Sequence, residues 1–273
     1  MDPSNFWARL RKFEISPNHI LAVGFGILGS AYALVFFIDI LNVFGLRGLP
    51  GGIVPFFWDS LFVERGIIEL TQWTLISGLI LCSYKLYRVF SKSHETSNKK
   101  FWFLVTITAC LMLIEDALNP RHFLFRDILD LHWRRINIAE TVYFGSLASI
   151  PGYAYLRYGD KVREHRKTIL FLVLGGFFYG LAVLISGPGH SFGVSSLGDA
   201  GLELTASIGG DELRAAYELS EERIIEVQGK DTDDLAFRFT DHLIEESLEL
   251  IGATFLLASA VSYLELLKKK ELK

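Results

Sequence analysis

The sequence predicts an all-helical membrane bundle of about six spans, with both termini on the cytoplasmic side. Apolar residues arrive in blocks of about twenty, too long for the core of a soluble domain in a chain of 273 residues that is 51% apolar. Lysine and arginine gather at alternate junctions: 3 before the first block, 5 around the second junction (Lys85, Arg88, Lys92, Lys99 and Lys100), 5 around the fourth (Arg157, Lys161, Arg163, Arg166 and Lys167), and 4 after the sixth block. Aromatic residues recur where those blocks would meet the membrane surfaces.

The first span is predicted at about 20–45. Arg9, Arg11 and Lys12 precede it, but it is longer than the core of a cleaved signal and has no small-residue cleavage site, so it is retained. The next spans follow at about 62–88, 101–118, 138–157, 168–187 and 242–267. Trp7, Tyr84, Tyr87, Trp102, Tyr155 and Tyr158 fall at the inner boundary, and Trp58 and Trp133 at the outer one. The basic segments put both termini on the cytoplasmic side, and the expected location is a bacterial or archaeal inner membrane. The net charge of −4 says less than this distribution does.

Three segments connect the spans on the outer side. The first contains GLRGLPGGIVPFF, whose glycines and prolines suit irregular backbone at the interface, and the second runs from about 119 to 137. The third, 191–241, holds twelve acidic and four basic residues. Within it DELRAAYELSEERIIEVQ puts Leu213, Tyr217, Ile224 and Val227 on one face, which predicts an amphipathic helix over the bundle mouth or beneath a protein partner. Cys82 and Cys110 lie in apolar runs without CxxC spacing and read as small core residues. No phosphate-binding glycine loop, basic aromatic nucleic-acid patch or GxSxG motif is present, so nucleic acid and serine-nucleophile chemistry drop out.

The ionisable residues within the spans cluster near the outer end. Carboxylates that open a helix complement its dipole by about 0.3 to 1 kcal/mol, which suffices for Glu64, Glu140, Glu245 and Glu246. Asp39, Glu115 and Asp116 sit at helix C-terminal ends where the dipole opposes them, and Glu69 and Glu249 are predicted to lie roughly 10 Å inside. Acids at such depth need pairing, protonation, a metal or water, so they default to function. In DHLIEESLEL, the spacing of His242, Glu246 and Glu249 presents an imidazole and two carboxylates on one α-helical stripe. In EDALNPRH, Pro120 predicts that the third span ends near Asn119, leaving His122 in a turn. Carboxylate with imidazole suits zinc, iron or manganese, and carboxylate alone suits calcium or magnesium.

FVERGIIEL, LIEDALNPR and the Asn137 to Glu140 segment carry a likeness. Glu64, Gly66 and Glu69, then Glu115, Asp116 and Arg121, then Asn137 and Glu140 match an E-D-G-x-x-E-W, G-E-E-I-S-W-G-Q-R and N-x-Q-x-E pattern. In this the chain resembles a group of uncharacterised bacterial multi-pass proteins, over about the middle third of its length. It departs from them at Arg65, Leu70 and Asn119-Pro120. The resemblance implies only that these acids act as a set.

The leading expectation is an outward-facing cavity that binds a divalent cation (zinc, iron, manganese or magnesium) or a polar headgroup. Glu69, Glu115, Glu246, Glu249 and His242 are its candidate metal ligands, and Glu69, Glu115, Asp116 and Glu249 its candidate catalytic groups. Arg121, Arg134 and Arg135 are candidate phosphate contacts for a lipid-linked substrate. The rival expectation is a sensor or assembly subunit, in which Arg65, Arg121, Arg126, Arg134 and Arg135 pair with the acids. Ion or proton transport is a third, weakened by the scarcity of ionisable residues in the inner halves of the spans.

Overall fold

The computed structural model describes residues 15–93, 95–120, 123–129, 133–186, 195–228 and 234–271, without the side chains of 126, 127, 133–137, 186, 195, 228 and 271. Among them all regular structure is helical. Helix α1 (Pro17–Leu34) runs through a π-helical turn (Val35–Ile40), and a short α2 (Phe57–Phe62) leads into α3 (Ile67–Lys92). Next come α4 (Thr96–Leu118), a π-helical turn (Phe123–Ile128), α5 (Trp133–Tyr158), α6 (Asp160–Arg163) and α7 (Arg166–Ser186). Helix α8 (Ser195–Gln228) precedes α9 (Leu235–Arg238), which continues through a π-helical segment (Phe239–Glu245) into α10 (Glu246–Glu271).

Five segments are long and apolar enough to cross a membrane: Pro17–Ile40, Phe57–Lys92, Thr96–Leu118, Arg166–Ile185 and Leu235–Lys270. Helix α5, the expected fourth span, has the length but not the hydropathy, because Glu140, Thr141, Ser146 and Ser149 interrupt its apolar residues. The expected second span is also two helices rather than one. Arg65 takes a positive φ of 64°, and a Cβ on Gly66 would meet the Val63 and Leu61 carbonyls at 2.6 and 2.7 Å, so the chain turns there before α3 begins.

The last span is the centre of the bundle: 72% of its apolar window is buried, against 28 to 44% in the others. It packs on α1, α3 and α7, while α4 packs on α3 and carries α5 on its far side. Glycine lets these backbones approach. A Cβ on Gly252 would stand 2.8 Å from the Tyr179 amide nitrogen, and one on Gly24 would enter the Thr254 side chain. Gly26 and Gly29 have open space instead. At the basic end Trp102 and Phe90 pack around Tyr263, and Lys167 reaches Asn18.

At the acidic end α8 folds back on itself at Gly210 (φ 75°), with Thr205 and Tyr217 hydroxyls 2.9 Å apart and Arg214 paired with Glu203 at 2.8 Å. Leu213, Tyr217 and Ile224 are buried as their spacing predicts, but Val227 is exposed. Tyr217 meets Phe56 with ring centroids 5.1 Å apart, and Phe56 stacks on Trp58, which in turn meets Phe239. Arg47 closes the end of α1 by donating to the Asp39 and Ile40 carbonyls at 2.7 and 2.8 Å, which the helix leaves without partners.

Candidate functional site

Helices α5 and α7 flank a cavity of about 1280 Å³, backed by α4, α3 and α10. Its two ends differ in chemistry. Glu64 from the turn before α3, Glu69 from its first turn, Glu115 and Asp116 from the end of α4, and Glu140 from α5 line one end. Asp241, His242, Glu245, Glu246 and Glu249 complete it from the π-helical segment and α10. The rest is a mainly apolar shaft walled by Phe101, Val105 and Met112 of α4, Ala148 and Pro151 of α5, and Leu172 and Gly176 of α7, with Thr108 and Tyr155 as polar residues along it. From Asp116 to Phe101 the shaft follows α4 for roughly 22 Å. No lysine or arginine is among the described residues that line it.

The acids are held by neutral donors on neighbouring helices. Gln72 of α3, fully buried, donates through Nε2 to Asp116 Oδ2 and to Glu249 Oε2, each at 2.7 Å. Tyr179 of α7 donates its hydroxyl to Asp116 Oδ2 at 2.9 Å. Tyr143 of α5 donates to Glu115 Oε2 at 2.5 Å. One amide and two phenols therefore tie α3, α4, α5, α7 and α10 together at the depth of the carboxylates, where hydrogen bonds replace lost hydration. Gln72 Oε1 and Glu246 Oε2 are buried and have no hydrogen-bond partner among the described residues.

All the expected metal-ligand and catalytic residues, Glu69, Glu115, Asp116, His242, Glu246 and Glu249, line this one cavity. Several reach it in a different manner from that expected. Glu69 lies in the first turn of α3, where its carboxylate accepts the Arg65 backbone N–H of the turn before the helix. His242 does not extend an α-helical stripe through Glu246 and Glu249, because Phe239–Glu245 is π-helical and its wider turn shifts the phase. Its Nδ1 instead stands 2.9 Å from Asp59 Oδ1 of α2, and its Nε2 3.9 Å from Asp241 Oδ2. Among the described residues no group of three or more His, Cys, Asp or Glu side chains is placed to hold a metal ion.

Asp39 does not join the cavity. Both its carboxylate oxygens accept backbone N–H groups that open α2, from Phe57 and Trp58 at 2.9 Å each, and this explains an acid at the end of α1. Helix α4 ends at Leu118 with Asn119 left-handed (φ 44°), as the Asn-Pro pair predicts. Arg121 and His122 lie outside the described residues, as does His190; so do the side chains of Arg126, Arg134, Arg135 and Asn137. Arg65 is exposed on the turn before α3.

Gln72, Tyr179, Tyr143 and Asp59 were not singled out by sequence reasoning. Gln72 carried a signal: an amide one turn from Glu69 in an otherwise apolar helix needs a partner. Tyr179 between Phe178 and Gly180 carried a weaker one, since a mid-span tyrosine must place its hydroxyl. Comparison of the chain with protein-family models, with curated proteins and with solved structures finds no match.

Proposed function

We propose that this chain is a six-span protein of a bacterial or archaeal inner membrane, with cytoplasmic termini, whose cavity faces outward at its acidic end and holds a lipid-linked substrate. The observation that carries the reading is the two-part cavity itself: a shaft of apolar side chains ending in a carboxylate cluster matches an amphiphile with a buried chain and a polar head. Each buried methylene contributes about 0.8 kcal/mol. The distribution of lysine and arginine supports the orientation, and α5 serves as the fourth span, with Glu140 and Thr141 lining the cavity.

Lipid mass spectrometry of the detergent-purified protein tests this. Gly176 lines the shaft and has open space beside it, so Gly176→Phe fills the shaft without a backbone clash. A copurifying lipid present in the parent and lost in Gly176→Phe supports the reading; equal lipid content in both defeats it.

Metal-assisted hydrolysis or transfer on the same lipid is a second reading, favoured by the arrival of all five expected donors at one cavity. It requires zinc, iron, manganese or magnesium to copurify, and Glu69→Gln and Glu249→Gln to lose it. Elemental analysis of protein never exposed to chelator decides that point.

A further inference from the structure

Resting on the lipid-cavity reading, we infer that the shaft opens sideways into the bilayer between α5 and α7, and that its ligand is a membrane lipid which enters there and leaves a further chain outside. Helix α5 packs on α4 and α7 packs on α10; among the described residues α5 and α7 are linked through α6 and do not pack along each other. Both nevertheless wall the cavity. Gly145, Ala148 and Gly152 of α5, and Val173, Gly176 and Gly180 of α7, line it and are exposed. A cavity walled by two helices that do not meet is a slot, and α3, α4 and α10 close its other side. A Cβ on Gly145, Gly152, Gly176 or Gly180 would meet nothing within 4 Å, so the slot is unsealed at those positions.

Position along the two helices sets the level of the slot. Counted from Tyr158 and Arg166, Ala148 and Gly176 each stand ten residues in, and Gly145 and Gly180 thirteen and fourteen, about 15 and 20 Å along the helix axes. The helix that carries the second of each pair is apolar enough to span a membrane over Arg166–Ile185, so at these levels acyl chains rather than water border the slot. An amphiphile that entered from water at the acidic end would pass its chain through that water, and each methylene drawn out of hydrocarbon disfavours the step about four-fold. Through the slot the chain stays in an apolar medium throughout. A slot also accommodates a lipid of two or more chains, since one occupies the shaft while another remains in the bilayer.

The test is photo-labelling of the full-length protein in vesicles of phosphatidylethanolamine and phosphatidylglycerol that carry a trace of phosphatidylcholine with a mid-chain diazirine. Peptide mass spectrometry is expected to find adducts on Val105, Thr108 and Met112 of the α4 wall, and also on Phe177 and Leu156, which are exposed and do not line the cavity. Gly145→Leu combined with Gly180→Leu fills the slot from both sides at one level without a backbone clash. Adducts on the α4 wall should then fall about ten-fold or more, because the route left crosses water, with those on Phe177 and Leu156 unchanged. Ala148→Trp, at a single exposed position, gives the same readout where the double variant does not reconstitute. Adducts on the α4 wall that persist in the slot-filling variants overturn the sideways route while the cavity reading stands. Absence of α4-wall adducts in the parent overturns the inference, and the cavity reading falls with it only where Gly176→Phe also keeps the parent's lipid content.

Discussion

Asp39 and the cavity acids look alike in the sequence, and substitution should separate them. Asp39 is fully buried, and its two oxygens accept the N–H groups of Phe57 and Trp58 at 2.9 Å. Hydrogen bonds to a charged partner contribute about 1.5 to 3 kcal/mol each. Asp39→Ala removes both and leaves the Trp58 N–H, beneath a residue only 1% exposed, without replacement. Water can reach the half-buried Phe57 more easily, so the expected loss is about 3 to 4 kcal/mol, below the full sum. Asp39→Asn keeps one acceptor and opposes an NH₂ group to the second N–H, for a loss of about 2 kcal/mol. Reversible unfolding in mixed micelles followed by circular dichroism measures the global change. Tryptic cleavage after Arg47, whose side chain is fastened to the Asp39 and Ile40 carbonyls, reports the local one. The copurifying lipid should be unchanged in any Asp39 variant that remains folded, since Asp39 does not line the cavity. Stability of Asp39→Ala within about 0.5 kcal/mol of the parent, with no faster cleavage at Arg47, would refute the assignment of Asp39 as the anchor of α2.

Glu246→Gln should act in the opposite direction, stabilising the ligand-free protein by about 0.5 to 2 kcal/mol by relieving repulsion within the carboxylate cluster; unfolding in the same micelles checks it. Gly252→Leu should cost about 1 to 3 kcal/mol through the clash with the Tyr179 backbone, whereas Gly26→Leu, with open space, should leave the monomer unchanged. Burial pushes the Tyr217 phenol from its usual 10.0 up to about 12, outweighing the hydrogen bond to Thr205. Because the folded state disfavours the phenolate, this contribution is complete below pH 10 and is lost between pH 10 and 12. Protease sensitivity of α8 should rise in that window, together with tyrosinate absorbance, and Tyr217→Phe should abolish the pH step.

What the sequence by itself determined is what depends on local geometry and on depth in the membrane. Apolar block lengths located five of the helices, and the Asn119-Pro120 pair stopped α4 where expected. The spacing of Leu213, Tyr217 and Ile224 placed an amphipathic helix correctly, because a 3.6-residue period needs no knowledge of the partner surface. Position in a span, at a rise of about 1.5 Å per residue, also sets an expected level for each carboxylate. Tertiary structure decided what each carboxylate meets. Asp39 turned to Trp58, Glu69 accepted the Arg65 backbone N–H across the break at Gly66, and a π-helical segment carried His242 to Asp59. The bonds that define the cavity join residues distant in the chain, Gln72 with Glu249 and Tyr179 with Asp116. Rotation about a helix axis and the choice of neighbouring helix are set by side-chain packing between segments, and the cavity between α5 and α7 is a product of that packing alone.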